Sequence, residues 1–163
     1  MPLFARADLS VNFKERKVLI EVKERRLAGI LCLNENKCYG FDKDGVLFKE
    51  NLDAEGTLIL KINDENERKI ILGQSVLADQ EFKNLMRAVG ILKDKKFPLI
   101  EAQIKPNILR EWVAIAPSDF KIYFSMDFVP DNFDIVYENM AKRIDFNDIT
   151  YIDFRIPNRI YYK

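Results

Sequence analysis

Hydrophobic positions in the first half of the chain recur at every second residue. In residues 17–25 (KVLIEVKER), Val18, Ile20 and Val22 alternate with Leu19, Glu21 and Lys23, giving one apolar and one mostly polar face, as a half-buried strand requires. The same reading predicts strands over 28–33, 37–41, 45–49, 57–62 and 69–73. Turn-forming clusters separate them: Asn34-Glu35-Asn36, Asp42-Lys43-Asp44-Gly45 and Asn63-Asp64-Glu65-Asn66. At residue 79 the period changes. Phe82, Leu85, Met86 and Val89 fall at three- and four-residue spacing, which predicts a helix over 79–92 with Asp79 as N-cap and the basic residues of 93–96 at its C-terminus. Strands resume over 98–105, 111–116 and 119–126. A second helix over 132–144 is expected to turn Ile135, Val136, Met140 and Ile144 inward.

Two helices among short strands joined by hairpin-length turns predict an α+β fold, a mainly antiparallel sheet with about two helices packed on one face. The spacing is too tight for repeated crossover helices, which argues against a doubly wound parallel sheet.

The chain closes on YIDFRIPNRIYYK (151–163). Tyr151, Asp153 and Arg155 fall on one side of the alternation and Ile152, Phe154 and Ile156 on the other. Pro157 and Asn158 interrupt it, and 159–162 either resume pairing or hang free as an edge. An edge strand offers unpaired amide and carbonyl groups to another chain. Tyr161 and Tyr162 beside Arg159 and Lys163 match the composition of interface hot spots. A final strand that merely covers the core is the competing reading, and the residues do not separate the two.

Composition narrows the chemistry. The 26 basic and 26 acidic residues of this 163-residue chain cancel, which disfavours tight nucleic-acid binding through phosphate neutralisation. The absence of histidine removes imidazole bases, Ser-His and Cys-His nucleophile pairs and every His-containing metal site. Cys32 and Cys38 are too few for an all-cysteine zinc site. A three-residue hairpin loop would set them opposite each other; buried thiols are the favoured reading, and a disulfide across the hairpin, implying an oxidising compartment, is the alternative. Asp42 and Asp44 in FDKDGVLF lack the further ligands of a calcium loop, so a turn with Gly45 at positive φ is the better reading. No cofactor or metal is expected. No segment reaches the ~20 apolar residues of a membrane span, and the N-terminus lacks a signal peptide's layout, so the fragment reads as soluble.

Three blocks then resemble one family, the FtsQ/DivIB bacterial cell-division proteins. YIDFRIPNRIYYK looks like that family's closing strand, with its Asp-x-Arg core and final aromatic or basic segment. VLIEVKERRLAGIL (18–31) resembles its Val-x-Glu-Arg block, with Leu27 where a proline often stands. CYGFDKDGVLF (38–48) resembles its Tyr-x-x-Asp-x-x-Gly-x-x-Phe hairpin. The resemblance implies that 1–26 are the closing hairpin of a truncated POTRA-like domain and 27–163 the C-terminal β domain. It implies a piece of a longer single-pass protein, or a start placed too late, on the extracytoplasmic face of the membrane. It further implies a non-enzymatic divisome scaffold, without nucleic-acid or small-molecule ligands, that recruits FtsB/DivIC-like and FtsL-like partners by strand addition at its C-terminal edge. Arg155 matches the family arginine that pairs a partner carboxylate, and Ile156, Asn158, Tyr161 and Tyr162 flank it. Two other classes remain open beside this reading. One is a POTRA-associated or secreted chaperone-like module binding unfolded chains, and the other an enzyme using carboxylates such as Asp42 and Asp44.

Overall fold

The computed structural model describes residues 3–33, 37–50, 52, 59–106, 108–117, 119–146 and 148–163. Two sheets form. The first is a hairpin of β1 (Phe4–Asn12) and β2 (Lys17–Glu24). The second has nine strands: β3 (Gly29–Leu33), β4 (Lys37–Phe41), β5 (Leu47–Glu50), β6 (Leu60–Asp64), β7 (Glu101–Ile104), β8 (Glu111–Ile115), β9 (Lys121–Ser125), β10 (Tyr151–Asp153) and β11 (Tyr161–Tyr162). Their spatial order is β11-β10-β9-β8-β7-β6-β3-β4-β5.

Helices α1 (Asp79–Asp94) and α2 (Phe133–Ala141) complete the α+β fold. Antiparallel pairs dominate, but β3–β6, β6–β7 and β9–β10 run parallel. Each helix serves one parallel crossover, α1 between β6 and β7 and α2 between β9 and β10. The turn spacing argues against repeated crossovers; two are present. Both helices join the same apolar cluster, so the sheet is covered on one face rather than doubly wound.

Alternation explains why one face is chosen. Leu31, Leu60, Ile62, Ala102, Ile104, Trp112, Ala114, Ile122, Phe124 and Ile152 all lie in the core, whereas their strand neighbours point to the other face. Helix α1 lays Phe82, Leu85, Ala88, Val89 and Leu92 onto that core. Asn84, also buried, donates its Nδ2 to the Met126 carbonyl at 2.9 Å and so ties α1 to the end of β9. The N-cap is Ala78, not Asp79. The Glu81 carboxylate accepts the Ala78 N–H at 3.2 Å, and Asp79 sits in the first turn, where a negative charge favours the helix dipole.

Helix α2 is shorter than its periodicity suggests and turned differently. It buries Phe133, Tyr137 and Met140, whereas Ile135 is 53% exposed. Ile135 lies about 200° round the helix from Phe133, so a face built on the aromatic residues excludes it. Burial pushes the Tyr137 hydroxyl up to about 12.

Residues 69–73 do not form the expected strand. Gly73, at φ 91°, turns the chain so that its N–H donates to the Leu47 carbonyl at 2.7 Å, and Leu47 N–H donates to Gln74. A single bridge, Val46 to Ser75, replaces a ladder. The Asp42–Gly45 turn forms as expected: Gly45 has φ 77°, and Asp42 Oδ1 accepts the N–H groups of Asp44 and Val46, each at 3.0 Å. The Asn34–Asn36 loop and the start of the strand expected from 57 lie outside the described residues.

Cys32 and Cys38 face each other across β3 and β4 and are joined as a disulfide. The favoured reading of two buried thiols is therefore corrected. Direct antiparallel register brings their Cα atoms to 4.0 Å, within reach of a bond.

Candidate partner-docking edge

The terminal strand is anchored by aromatic packing. Phe154 stacks on Phe124 (5.8 Å between ring centroids) and meets Phe133 of α2 edge-on at 5.0 Å, while Phe124 stacks on Trp112 at 4.5 Å. Phe154 N–H also donates to the Tyr123 carbonyl at 2.9 Å. These contacts seat β10 against β9 and fix where residues 155–163 leave the core.

After Phe154 the chain departs from the sheet. Asn158 adopts a left-handed conformation (φ 60°), which an asparagine tolerates better than most residues. Arg159 N–H closes the bend on the Ile156 carbonyl at 3.2 Å. Residues 161–162 then return antiparallel to β10, pairing Tyr162 with Ile152 and Tyr161 with Asp153. Of 159–162, only Tyr161 and Tyr162 resume pairing, and β11, not β10, is the sheet's last strand.

Tyr161 and Tyr162 nevertheless cover little core, being 43% and 55% exposed. Lys163 exchanges both backbone bonds with Tyr151 (3.3 and 3.4 Å), so Lys163 points its backbone inward. In an antiparallel ladder the inward and outward residues alternate, which turns the N–H and carbonyl of Tyr162 toward the open side.

Arg155 lies just beyond β10 on the side opposite the core. Its Nε and one terminal nitrogen donate to the two oxygens of Asp153 at 2.9 and 2.6 Å, and the other terminal nitrogen donates to Glu111 of β8. The guanidinium rests 4.9 Å from the centroid of the Tyr123 ring, a cation–π contact. Tyr151 meets Tyr123 edge-on at 5.8 Å. The hydrogen bonds that Arg155 donates to Asp153 outweigh the opposing effect of burial and raise the Arg155 pKa, with Glu111 adding to it. On Asp153, burial works to raise the carboxyl, but hydrogen bonds and charge from Arg155 outweigh it and hold the group below its ordinary value.

The structure therefore brings Arg155, Asp153, Tyr151, Tyr161 and Tyr162 to one end of the sheet. Ile156 and Asn158 instead line the neighbouring cavity of about 620 Å³ with Val129, Pro130, Val136 and Ile160. Glu111 and Tyr123 were absent from the sequence-based site. They lie 44 and 32 residues before Arg155, and only the β8–β9–β10 register brings them to it. The one available signal was that Glu111 and Tyr123 alternate out of phase with the apolar Trp112 and Phe124.

Asp42 and Asp44 do not converge. Asp42 is buried, accepts two turn amides and pairs with Arg25, whereas Asp44 is exposed beside Lys43. No helix among the described residues is long and apolar enough to cross a membrane. Comparison with protein-family models and with curated proteins found no match for the chain.

Proposed function

We propose that this chain is the extracytoplasmic β domain of an FtsQ/DivIB-type division scaffold, which captures FtsB/DivIC-like and FtsL-like proteins by adding a partner strand to its C-terminal edge. The observation that carries this reading is the open side of β11. A nine-stranded sheet ends there on two exposed tyrosines, with the outward amide of Tyr162 and the half-exposed Arg155 beside it. Backbone bonds along such an edge supply affinity, and neighbouring side chains supply selectivity. The opposite end of the sheet is blunted by the turn that bonds Gly73 and Gln74 to Leu47. The Cys32–Cys38 disulfide supports an oxidising compartment, and the separate β1–β2 hairpin supports a POTRA-like reading of 1–26.

The test is capture of a peptide from the FtsB/DivIC-like protein of the same genome, measured by fluorescence anisotropy. Tyr162→Pro removes an outward N–H without removing a bond to β10, so it is expected to weaken capture about tenfold or more while leaving thermal stability unchanged. Unchanged capture by that variant would reject the edge. Weak binding of many unrelated unfolded chains would instead favour the chaperone-like reading.

A further inference from the structure

Among the described residues, one buried side-chain atom lacks a hydrogen-bond partner, the oxygen Oδ1 of Asn63. Asn63 belongs to β6, which runs between β7 and β3, and it alternates with the core residue Ile62 onto the face away from the helices. Its Nδ2 is turned toward β7, where it donates to the Glu101 carboxylate at 2.6 Å. The other end of the amide, Oδ1, is thereby turned toward β3. The residue beside it there is Cys32, its direct partner in the parallel β3–β6 register and only 1% exposed. Paired residues on neighbouring strands share a side of the sheet, so the orphaned acceptor and the Cys32–Cys38 disulfide are neighbours. A disulfide sulfur has no proton to donate, whereas a thiol has one. Because an unmet buried acceptor is costly, the surroundings of Cys32 suit a thiol better than a bonded sulfur.

We infer that Cys32–Cys38 is a reversible thiol–disulfide exchange site, in which Asn63 receives the Cys32 thiol of the reduced form. Cys38 is partly exposed and Cys32 is not, so exchange begins at Cys38. A thiolate of a dithiol reductant attacks the Cys38 Sγ. A mixed disulfide forms as the Cys32–Cys38 bond breaks, and the electron pair leaves on the Cys32 Sγ. That sulfur takes up a proton, and the new S–H donates to Asn63 Oδ1. The second thiol of the reductant, once deprotonated, attacks the mixed disulfide and releases Cys38. The net change reduces one disulfide, oxidises one dithiol and moves two protons from the reductant to the cysteines. The fold is retained because the bond joins residues already paired in the β3–β4 ladder, which runs from Gly29–Phe41 to Leu33–Lys37. The inference is independent of the division reading, since it uses neither β11 nor Arg155.

Equilibration of the 163-residue chain with reduced and oxidised dithiothreitol, read by thiol alkylation and mass spectrometry, tests it. Asn63→Leu is expected to shift the equilibrium about three- to tenfold toward the disulfide. Gln103→Leu removes the other amide that donates to Glu101, at 2.9 Å, without touching the one beside Cys32, and is expected to leave the equilibrium unchanged. An equilibrium that Asn63→Leu does not move overturns the inference. An equal shift in both variants overturns it too, as does a wild-type bond that dithiothreitol reduces only when urea unfolds the chain. A second measurement leaves Asn63 in place. In a Cys38→Ser background, Cys32→Ser is expected to unfold at higher urea concentration than Cys32→Ala, because its hydroxyl supplies the missing donor to Oδ1. Equal midpoints or the reverse order also overturn the inference.

Discussion

Arg155 and Asp153, two residues apart at the end of β10, form a two-pronged ion pair in which both carboxylate oxygens accept from one guanidinium, at 2.9 and 2.6 Å. Glu111 holds the third prong from β8, crossing β9 to reach it. The arginine that the sequence offers to a partner is thus also part of the sheet's internal bonding.

That dual engagement changes what a charge reversal does. Arg155→Glu would gather three acids and leave the mostly buried Glu111 without its cation. Because the pair is partly solvated, the expected loss is roughly 1–3 kcal/mol rather than the larger cost of a fully buried pair. Urea denaturation is the measurement, and Arg155→Lys, which keeps the charge but not the fork, is expected to lie between wild type and Arg155→Glu. A binding defect in Arg155→Glu is therefore interpretable only beside its stability.

Acid should loosen the same clamp. The Asp153 carboxyl titrates below its ordinary value of 3.8 in the folded state, so between the two values the unfolded chain binds more protons. The clamp's contribution is complete above pH 3.8 and is lost as pH falls through the folded value. Melting temperature measured from about pH 6 to about pH 2.5 should fall less steeply at the acid end in Asp153→Asn than in wild type, from a lower starting point.

Asn84 offers a test of how α1 is fastened. Its side chain is buried, donating to Met126 and accepting from Gln80 at 3.0 Å. Asn84→Ala orphans the Met126 carbonyl and should cost about 1–3 kcal/mol by denaturant titration.

The disulfide is expected to stabilise by restricting the unfolded chain. For the six-residue separation of Cys32 and Cys38 the chain-entropy account gives roughly 2–3 kcal/mol. The double substitution to serine and the dithiothreitol-reduced protein should both melt lower than the oxidised protein.

Much of this was legible in the residues because it rests on local periodicity. The alternation in 119–126, the helical spacing from Phe82 to Val89 and the Asp42–Gly45 turn are short-range consequences of backbone geometry, and they formed as read. The alternation in 17–25 does give the strand β2, but every residue of it is exposed rather than half-buried. What the residues left undecided was decided by distance in space. Residues 69–73 alternate well enough for a strand, but the neighbour they meet is the start of β5, where Leu47 takes the Gly73 amide and closes a turn instead of a ladder. Ile135 has the composition of a core residue and is displaced by the stronger anchors Phe133 and Tyr137. Cysteines six apart in sequence became a bond once the β3–β4 register set them opposite.

By itself the sequence determined the class of the fold, one covered sheet face and an aromatic terminal strand. Only the tertiary structure decided that 161–162 close back on β10, that the parallel β9–β10 pairing carries Tyr123 beneath Arg155, and that Glu111 from β8 completes its clamp. The physical reason is that periodicity specifies which side of a strand a residue occupies, whereas strand order and register specify which residue stands next to it.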